Sequence, residues 1–228
     1  MFNKKISDII PTYGVYIQRY LTALDLLNKK KSFILDIGCG DGGISYFLNR
    51  CGKHIIAIDL EKKKRNFDYI IATAEKLPFK ESIFDQILFL DVLEHIPKEK
   101  LVVEEINRVM KKNGNLIITT PSNFWRYPYY SFMKFIAPSE KSLMESFGHL
   151  RRGYSLLQIK KLFKNFKIEQ TRYYVNKISA LFFDLEYSNL HIIKNIILRV
   201  LAFPLFLNFK LPSKKWGTHI GIRLRKIK

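Results

Sequence analysis

Cysteine is scarce in this 228-residue chain, which contains only Cys39 and Cys51. Two cysteines provide neither a disulfide framework nor the spacing of a zinc site, so the disulfide-rich secreted class is excluded. The first residues also lack a long apolar stretch, because Ile9 and Ile10 are followed at once by Pro11. We therefore expect no signal peptide and a reducing, cytoplasmic setting.

Acidic residues are also few: 20 Asp and Glu stand against 39 Lys and Arg, for a net charge of +19. The imbalance is concentrated in residues 151–228, where 17 basic and 3 acidic residues give +14. A basic, aromatic-rich end favours a polyanionic partner, either an anionic membrane surface or nucleic acid. A lysine-rich composition throughout the chain is the alternative, but it does not by itself explain the asymmetry.

An apolar stretch within this basic end, Ile192–Phe209, contains Lys194 and Arg199 and is too short and too charged to predict a transmembrane helix. Basic residues at its edges favour an interfacial helix, so we expect residues 190–215 to contact an anionic membrane surface. The chain would then be cytoplasmic and peripheral to the membrane. A dimer contact and a cover for the chain's own core are the alternatives.

The most informative stretch is Phe-Ile-Leu-Asp-Ile-Gly-Cys-Gly-Asp-Gly-Gly at residues 33–43. It predicts a strand, a tight glycine-rich turn and a helix start, with glycines where a ligand must approach the backbone. Gly38, Gly40 and Gly43 satisfy the dinucleotide pattern G-x-G-x-x-G, which alone is a weak signal. However, the carboxylate of Asp36 would repel a pyrophosphate and suits a ligand that carries an ammonium group.

Asp36, Gly38, Gly40 and Gly42 match D/E-x-G-x-G-x-G, and the stretch resembles the first motif of the class I S-adenosylmethionine-dependent methyltransferases. Residues 73–91 resemble the D-A-x-x-L-P-F-x-x-x-x-F-D segment of that family. Val92–Ile96 resembles the V-L-E-H-I turn of its type 11, ubiquinone-biosynthesis-like branch of small-molecule enzymes. The resemblance implies S-adenosyl-L-methionine as the cofactor.

The cofactor site is expected at the ends of successive strands. Asp59 ends the second strand, where a carboxylate can accept hydrogen bonds from both ribose hydroxyls. The resemblance places Ala74 and Glu75 along the adenine, with Thr73 where the family commonly has Asp. The predicted cofactor-binding residues are Asp36, Gly38, Gly40, Gly42, Asp59, Ala74, Glu75, Asp91 and Leu93.

Alternating strand and helix patterns predict a parallel sheet with the site at the carboxyl ends of its strands. Strands are expected at 33–36, 54–59, 69–74, 86–91, 115–120, 166–174 and 219–227, and a helix after Pro97 is expected to run to the stop signal Asn113-Gly114. The expected fold class is α/β: a Rossmann-like, doubly wound, seven-stranded sheet, mostly parallel with an antiparallel last strand. We expect a single methyltransferase domain over 1–228, with an N-terminal helical cover (1–30), an acceptor-side lid (121–154) and an apolar-basic insertion (175–218).

Two histidines are the candidate catalytic residues. His149 lies in Gly148–Ser155, which resembles the family's G-H-x-R-x-Y-S segment, and an imidazole suits removal of a proton from an acceptor hydroxyl. His95 follows Glu94, so the two are a base and its partner or a metal pair, but no third ligand is nearby in sequence and no metal site is predicted. The alternatives are that His95 orients the following helix and that His149 fixes its loop. Arg151 and Arg152 are candidates to hold an acidic group of the substrate.

The acceptor is the least defined partner. Seven aromatic residues within 124–135 predict a lid that excludes water and binds an apolar or ring-bearing acceptor, either a small molecule or lipid-linked. Packing of these rings against the domain is the alternative. Three other functions stay open: an RNA methyltransferase, a non-catalytic cofactor-binding scaffold at a membrane, and a dinucleotide oxidoreductase. Nucleic acid is the less favoured partner because the turn after the fourth strand is not of the Asn/Asp-Pro-Pro type.

Overall fold

The computed structural model describes residues 16–31, 33–61, 68–190 and 217–228. The helices are α1 (Tyr16–Leu26), α2 (Gly43–Arg50), α3 (Glu99–Val109), α4 (Glu140–Phe147), α5 (Leu156–Leu162) and α6 (Lys177–Glu186). The strands are β1 (Phe33–Ile37), β2 (His54–Asp59), β3 (Ile70–Ile71), β4 (Phe84–Leu90), β5 (Met110–Pro121), β6 (Phe166–Tyr174) and β7 (His219–Lys226). Short 3-10 helices cover Leu93–His95 and Ser131–Phe135.

The strands form one seven-stranded sheet in the order β3-β2-β1-β4-β5-β7-β6. β1 lies centrally and pairs in parallel with both β2 and β4, so Asp36 is opposite Ala57 on one side and Leu88 on the other. β7 is antiparallel to both β5 and β6. The predicted α/β fold, mostly parallel with an antiparallel last strand, is confirmed.

Both faces of the sheet are buried, which explains why the central strands are continuously apolar. Adjacent residues of β4 point to opposite faces: Ile87 packs in the core beneath α3 and α5, and Leu88 in the core beneath α1 and α2. Three of the largest side chains in these two cores, Phe47, Phe89 and Phe163, are fully buried. This double layer holds the carboxyl ends of the parallel strands in fixed positions.

The end of α3 differs from the prediction. The helix stops at Val109, and β5 begins at Met110, which pairs with Phe84. The Lys-Lys-Asn-Gly segment read as a helix stop lies inside the strand, where Asn113 has a φ of 61° and the register with β4 shifts. Phe84 pairs with Met110 and Gln86 with Asn115, so the residues of the expected stop signal form an irregularity within β5 after the helix has already ended. β3 is also shorter than expected.

Several predictions fall on the segments flanking the sheet. Residues 1–15 of the N-terminal cover, Ile192–Phe209 and nearly all of the predicted membrane-contacting range 190–215 lie outside the described residues. The first part of the insertion is described and forms α6, with Asn176 capping its first turn through the amide of Ser179. Within the described part of the chain, no helix has the length and apolar character needed to cross a membrane. The division of the chain into domains stays a prediction.

Candidate functional site

Two cavities adjoin at the carboxyl ends of the parallel strands. The larger, of about 430 Å³, lies over the ends of β1 and β2 and is bounded by the β3–β4 connection. The smaller, of about 180 Å³, lies beyond the end of β4, on the side of β5 and β7. Asp91, His95 and Phe147 line both cavities. A ligand in one cavity can therefore be in contact with a ligand in the other.

The glycine-rich turn forms one wall of the larger cavity. Gly38 has a φ of +70°, and a Cβ added there would lie 2.5 Å from Cγ2 of Val92. Gly40 has a φ of +57°, but no atom lies within 4 Å of the position of an added Cβ. Gly38 is thus required for packing of the turn against the β4 end, and Gly40 leaves its side of the backbone open to a ligand.

Asp59 also lines this cavity, and its carboxylate is held in place by the glycine-rich turn. Its Oδ2 accepts a hydrogen bond from the backbone N–H of Gly40 (2.9 Å), and its Oδ1 accepts one from that of Glu61 (3.2 Å). The carboxylate is therefore fixed at the end of β2. Thr73 and Glu75 line the same cavity. This is the arrangement expected of a ribose-binding carboxylate.

Of the nine predicted cofactor-binding residues, six line the larger cavity: Gly38, Gly40, Asp59, Ala74, Glu75 and Asp91. Gly42 instead precedes α2 as its N-cap, and Leu93 is fully buried in the core. Asp36 is also buried, 1% exposed, and its Oδ2 accepts a hydrogen bond from the hydroxyl of Ser45 in α2 (2.6 Å). Its burial raises the pKa of Asp36 to about 6. The structure thus brings these three residues close to the site without placing them on its surface.

Asp91 occupies the junction of the two cavities. It has a φ of 52°, which turns the chain sharply after β4. Its Oδ1 accepts a hydrogen bond from Thr119 (2.7 Å), and its Oδ2 lies 3.4 Å from the guanidinium of Arg19 in α1. Arg19 lines the smaller cavity.

The smaller cavity has aromatic walls that come from three different parts of the chain. The lid segment contributes Trp125 and Phe147, β6 ends in Tyr174, and α6 with the residue after it contributes Phe183 and Tyr187. Of the seven aromatic residues in 124–135, only Trp125 lines this cavity, and Phe124, Phe132 and Phe135 are exposed. The insertion therefore supplies part of the pocket wall, through Phe183 and Tyr187, whereas the aromatic residues of the lid were expected to form it.

His219, the first residue of β7, also lines the smaller cavity and was not predicted. Because β7 is antiparallel, its amino end lies opposite the carboxyl end of β5, where His219 is paired with Pro121. Burial lowers the pKa of His219 to about 4, so the ring is neutral at pH 7. The expected antiparallel direction of the last strand would have been sufficient to place its first residue at this edge of the sheet.

The predicted catalytic histidines come together with Glu94 in the smaller cavity. Each of Glu94, His95 and His149 has a ligating atom within 4.8 Å of the other two. The rings of His95 and His149 are 4.7 Å apart and nearly perpendicular. The fold therefore provides the third group that was missing near Glu94 and His95 in the sequence.

Burial changes the protonation of this cluster. It lowers the pKa of the His149 imidazole to about 4, with His95 contributing in the same direction. It also raises the pKa of the Glu94 carboxyl well above its usual value, because the side chain is fully buried and lies near Asp91. A neutral His149 has a lone pair available to bind a proton or a cation.

The segment containing His149 is fastened to the turn containing His95 by direct hydrogen bonds. His95 Nδ1 lies 3.0 Å from the carbonyl oxygen of Gly148, and the N–H of Leu150 donates to the carbonyl of Glu94 (3.0 Å). Arg151 donates to the carbonyl oxygens of Leu93 (3.0 Å) and Ile96 (2.8 Å). The two histidines are therefore positioned by backbone contacts.

Arg151 and Arg152 do not line either cavity. In addition to its bonds to two carbonyls, Arg151 is 2.8 Å from Glu99, and Arg152 forms an ion pair with Glu140. The expectation that they hold an acidic group of a substrate does not fit this arrangement, because both guanidinium groups are already paired with carboxylates of the chain.

Comparison with known proteins agrees with this geometry. Residues 35–118 match a family described as a methyltransferase domain. Among curated proteins, a ubiquinone biosynthesis O-methyltransferase from Pelagibacter ubique (strain HTCC1062) is 34% identical over 99 residues, which cover 38% of this chain and 41% of that relative. The chain thus spans less than half the length of this relative.

Solved structures share the fold over nearly the whole chain. The PH0226 protein from Pyrococcus horikoshii OT3 has a TM-score of 0.60 at 20% identity and covers 99% of both chains. A possible histamine N-methyltransferase from Thermotoga maritima has a TM-score of 0.61 at 17% identity, covering 92% of this chain and 89% of that one. These solved structures show the fold, and the family match identifies residues 35–118 as a methyltransferase domain, which implies S-adenosylmethionine as the cofactor.

Proposed function

We propose that the chain transfers the methyl group of S-adenosylmethionine to a hydroxyl group of a small-molecule acceptor. The observation that carries this proposal is the junction of the two cavities at Asp91, His95 and Phe147. A cofactor in the larger cavity has its sulfonium end at this junction, and an acceptor in the smaller cavity can reach it.

The cofactor is placed by the residues that line the larger cavity. Asp59 accepts hydrogen bonds from the ribose hydroxyls, and Ala74, Thr73 and Glu75 lie along the adenine. Gly38 and Gly40 allow the methionine part to approach the backbone. The volume of about 430 Å³ is within the range of about 300–1,000 Å³ usual for ligand cavities. We assign Asp91, at the junction, to the sulfonium end, with Asp36, Gly42 and Leu93 supporting the turn from beneath.

The acceptor occupies the aromatic cavity. Its volume of about 180 Å³ and its aromatic walls suit an acceptor with a single ring. If the acceptor is lipid-linked, its ring enters the cavity and its lipid chain stays outside the protein. The same holds if residues 190–215 bind an anionic membrane surface from which such an acceptor is taken. The name of the Pelagibacter relative, an O-methyltransferase, agrees with a hydroxyl as the accepting group.

The reaction is a direct displacement in which the acceptor oxygen attacks the methyl carbon and the carbon–sulfur bond breaks. The products are the methyl ether, S-adenosylhomocysteine and a proton. Because the leaving sulfur is neutral, most of the rate enhancement comes from holding the two reactants in line and excluding water. His149 and His95 are the groups beside the acceptor oxygen, and the neutral imidazole of His149 can take up its proton.

Calorimetric titration with S-adenosylmethionine and with NADH tests the cofactor assignment. We expect micromolar binding of S-adenosylmethionine, no binding of NADH, and at least about tenfold weaker binding by Asp59→Ala, since a hydrogen bond to a charged group contributes about 1.5–3 kcal/mol. Asp68→Ala, at an exposed aspartate, is the matched control. Failure of the wild type to bind S-adenosylmethionine would contradict the proposal.

Transfer is tested with S-adenosylmethionine that carries a labelled methyl group. The label is followed into small phenolic compounds and into the organic phase of membrane extracts. We expect incorporation that the Asp59→Ala variant does not support. Cofactor binding without incorporation into any of these acceptors would instead indicate the non-catalytic scaffold.

A further inference from the structure

We propose that Glu105 and Arg108 are positioning residues for the adenine of the cofactor, because they hold the wall of the larger cavity along which that ring lies. The inference rests on the proposed function, since it takes the larger cavity as the cofactor site. Both side chains belong to α3, three positions apart, and neither lines either of the two cavities. They act through the connection between β3 and β4.

This connection, residues 72–83, contains neither a helix nor a strand. Its first four residues, 72–75, line the larger cavity. Because the connection has no neighbouring strand to bind its backbone groups, these groups need other partners. One end is bound to β2, where the N–H of Ala72 donates to the carbonyl of Asp59 (3.0 Å). The wall then needs a second anchor beyond residue 75.

Glu105 and Arg108 provide that anchor at Leu77 and Phe79. Oε2 of Glu105 accepts a hydrogen bond from the N–H of Leu77 (2.7 Å). The guanidinium of Arg108 donates to the carbonyl oxygens of Leu77 (3.0 Å) and Phe79 (2.7 Å). Both backbone groups of Leu77, which follows the cavity-lining Glu75 by two positions, are thus bound to α3.

The two side chains also hold each other. Nε and Nη2 of Arg108 donate to the two carboxylate oxygens of Glu105, at 2.7 and 2.8 Å. Bidentate pairing of this kind fixes the geometry of both groups. The hydrogen bonds from Arg108 lower the pKa of the Glu105 carboxyl, so the acceptor of the Leu77 N–H stays ionised at neutral pH. Because the Arg108 side chain is 36% exposed, charge attraction alone contributes little to stability, and the value of the pair lies in its bonds to the connection.

The sequence Leu77-Pro78-Phe79 suits this anchor. Leu77 is buried in the core, and the ring of Phe79 packs edge-on against that of Phe84, with 5.0 Å between ring centres. Pro78 fixes the backbone between them and has no N–H that needs a partner. The Leu-Pro-Phe stretch is therefore fastened to the core by its side chains and to α3 by its backbone.

A wall fixed in this way can distinguish one purine from another. Thr73 and Glu75 line the cavity, and the N–H of Glu75 donates to Oγ1 of Thr73 (3.2 Å) in a tight turn just before Leu77. The 6-amino group of adenine can donate to the oxygens of these two side chains, whereas the 6-oxo group of hypoxanthine cannot. A site built around such a donor rejects the analogue that lacks it, provided that its own groups are held in place.

The test compares calorimetric binding of S-adenosylhomocysteine and S-inosylhomocysteine, which differ only in the purine ring. We expect the wild type to prefer the adenosyl compound by at least about tenfold. Arg108→Ala should bind the adenosyl compound about tenfold more weakly and should reduce the preference to about threefold or less. Arg108→Lys should recover little, because an ammonium group does not reproduce the planar fork of the guanidinium.

Glu105→Gln is the conservative variant, and Glu104→Ala is the matched control. Glu105→Gln keeps an oxygen for the Leu77 N–H, so it should bind S-adenosylhomocysteine more tightly than Glu105→Ala and retain more of the purine preference. Glu104 is exposed on the same helix, and its replacement should change neither quantity. Urea unfolding of each variant identifies loss of the fold, which does not by itself alter the ratio of two dissociation constants measured on folded protein. If Arg108→Ala does not fold, Arg108→Lys and Glu105→Gln provide the same comparison.

Two results would overturn the inference: a wild type that binds both compounds equally, or a purine preference that stays at the wild-type value in the Arg108 and Glu105 variants. Either result would leave the proposed function intact, because S-adenosylhomocysteine would still bind. A wild type that binds neither compound would instead contradict the cofactor assignment on which the proposed function depends.

Discussion

Ser45 donates a hydrogen bond of 2.6 Å to the carboxylate of Asp36 beneath the glycine-rich turn. The bond joins the end of β1 to the first turn of α2, and both side chains are shielded from solvent. Asp36 therefore fastens the strand to the helix on either side of the turn. Asp91, which follows the neighbouring strand β4 at the same edge, is the carboxylate that lines both cavities.

The buried Asp36 makes stability depend on pH. Its burial raises its pKa to about 6 in the folded chain, from 3.8 for an ordinary aspartate. Between these values the folded state keeps a proton that the unfolded state has lost, so this contribution to stability falls as pH rises from about 4 to about 6. Asp36→Asn removes the contribution, and its stability relative to wild type should increase over that range by about 3 kcal/mol at most.

Urea unfolding at a series of pH values measures this difference without cofactor. Asp68→Asn, at an exposed aspartate, serves as the control, and its difference from wild type should not change with pH. A difference between Asp36→Asn and wild type that stays constant from pH 4 to pH 7 would contradict the assignment of this pKa to burial.

The parts of the site formed by local sequence could be predicted. The glycine-rich turn requires Gly38 and Gly40 at fixed positions after a strand, and Asp59 ends a strand whose bounds follow from its apolar pattern. The carboxyl ends of parallel strands meet at one edge, so these residues converge in any fold of this class. Position along the strand was thus sufficient for them.

The acceptor side could not be predicted in the same way, because it depends on packing between distant segments. His149 reaches His95 only because Leu150 and Arg151 bind backbone carbonyls of the turn after β4. Phe183 belongs to a helix within the insertion, where the sequence carries no recognisable motif. The Asn113-Gly114 signal marks an irregularity within β5 and not the end of α3, because Met110 already pairs with β4.

The glycines of the turn should respond differently to alanine. Gly38→Ala combines a positive φ with a contact of 2.5 Å to Val92, so we expect a loss of about 3 kcal/mol in the free energy of unfolding. Gly40→Ala meets no atom within 4 Å and should lose only about 1 kcal/mol, but its methyl group should weaken S-adenosylmethionine binding.

Chemical denaturation and calorimetry distinguish these two effects. The double variant Gly38→Ala/Val92→Ala removes the atom that the new Cβ meets and should recover part of the lost stability. If the loss of unfolding free energy in the double variant equals the sum of the losses in Gly38→Ala and Val92→Ala, the close contact does not account for the requirement for glycine at this position.

Asp184 should be necessary for the attachment of the lid to α6. Its buried carboxylate accepts hydrogen bonds from the backbone N–H groups of Tyr129 and Tyr130, each 2.8 Å long. Asp184→Ala leaves both amides without this acceptor. We expect the free energy of unfolding, measured with urea or heat, to fall by about 1–3 kcal/mol per unsatisfied group.

Ile178→Ala, on the exposed side of the same helix, should change the free energy of unfolding by less than about 0.5 kcal/mol. Equal effects of the two variants would show that the carboxylate contributes no such attachment.

Tyr187 should determine how well the acceptor binds without affecting the cofactor. Its ring lines the smaller cavity, packs 4.8 Å from that of Phe183, and does not line the larger cavity. If the acceptor ring binds in this cavity as proposed, Tyr187→Ala removes one of its aromatic walls. KM for the acceptor should then rise by about tenfold, in line with the 0.5–1.5 kcal/mol of an aromatic pair plus lost contact area. The Kd for S-adenosylmethionine should stay within about twofold of the wild-type value, because Tyr187 does not line the cavity assigned to the cofactor.

Phe135→Ala is the control from the predicted lid, because that ring is 93% exposed and lines neither cavity. A rise in KM with Phe135→Ala and none with Tyr187→Ala would place the acceptor on the outer surface of the lid and not in the cavity that α6 helps to enclose.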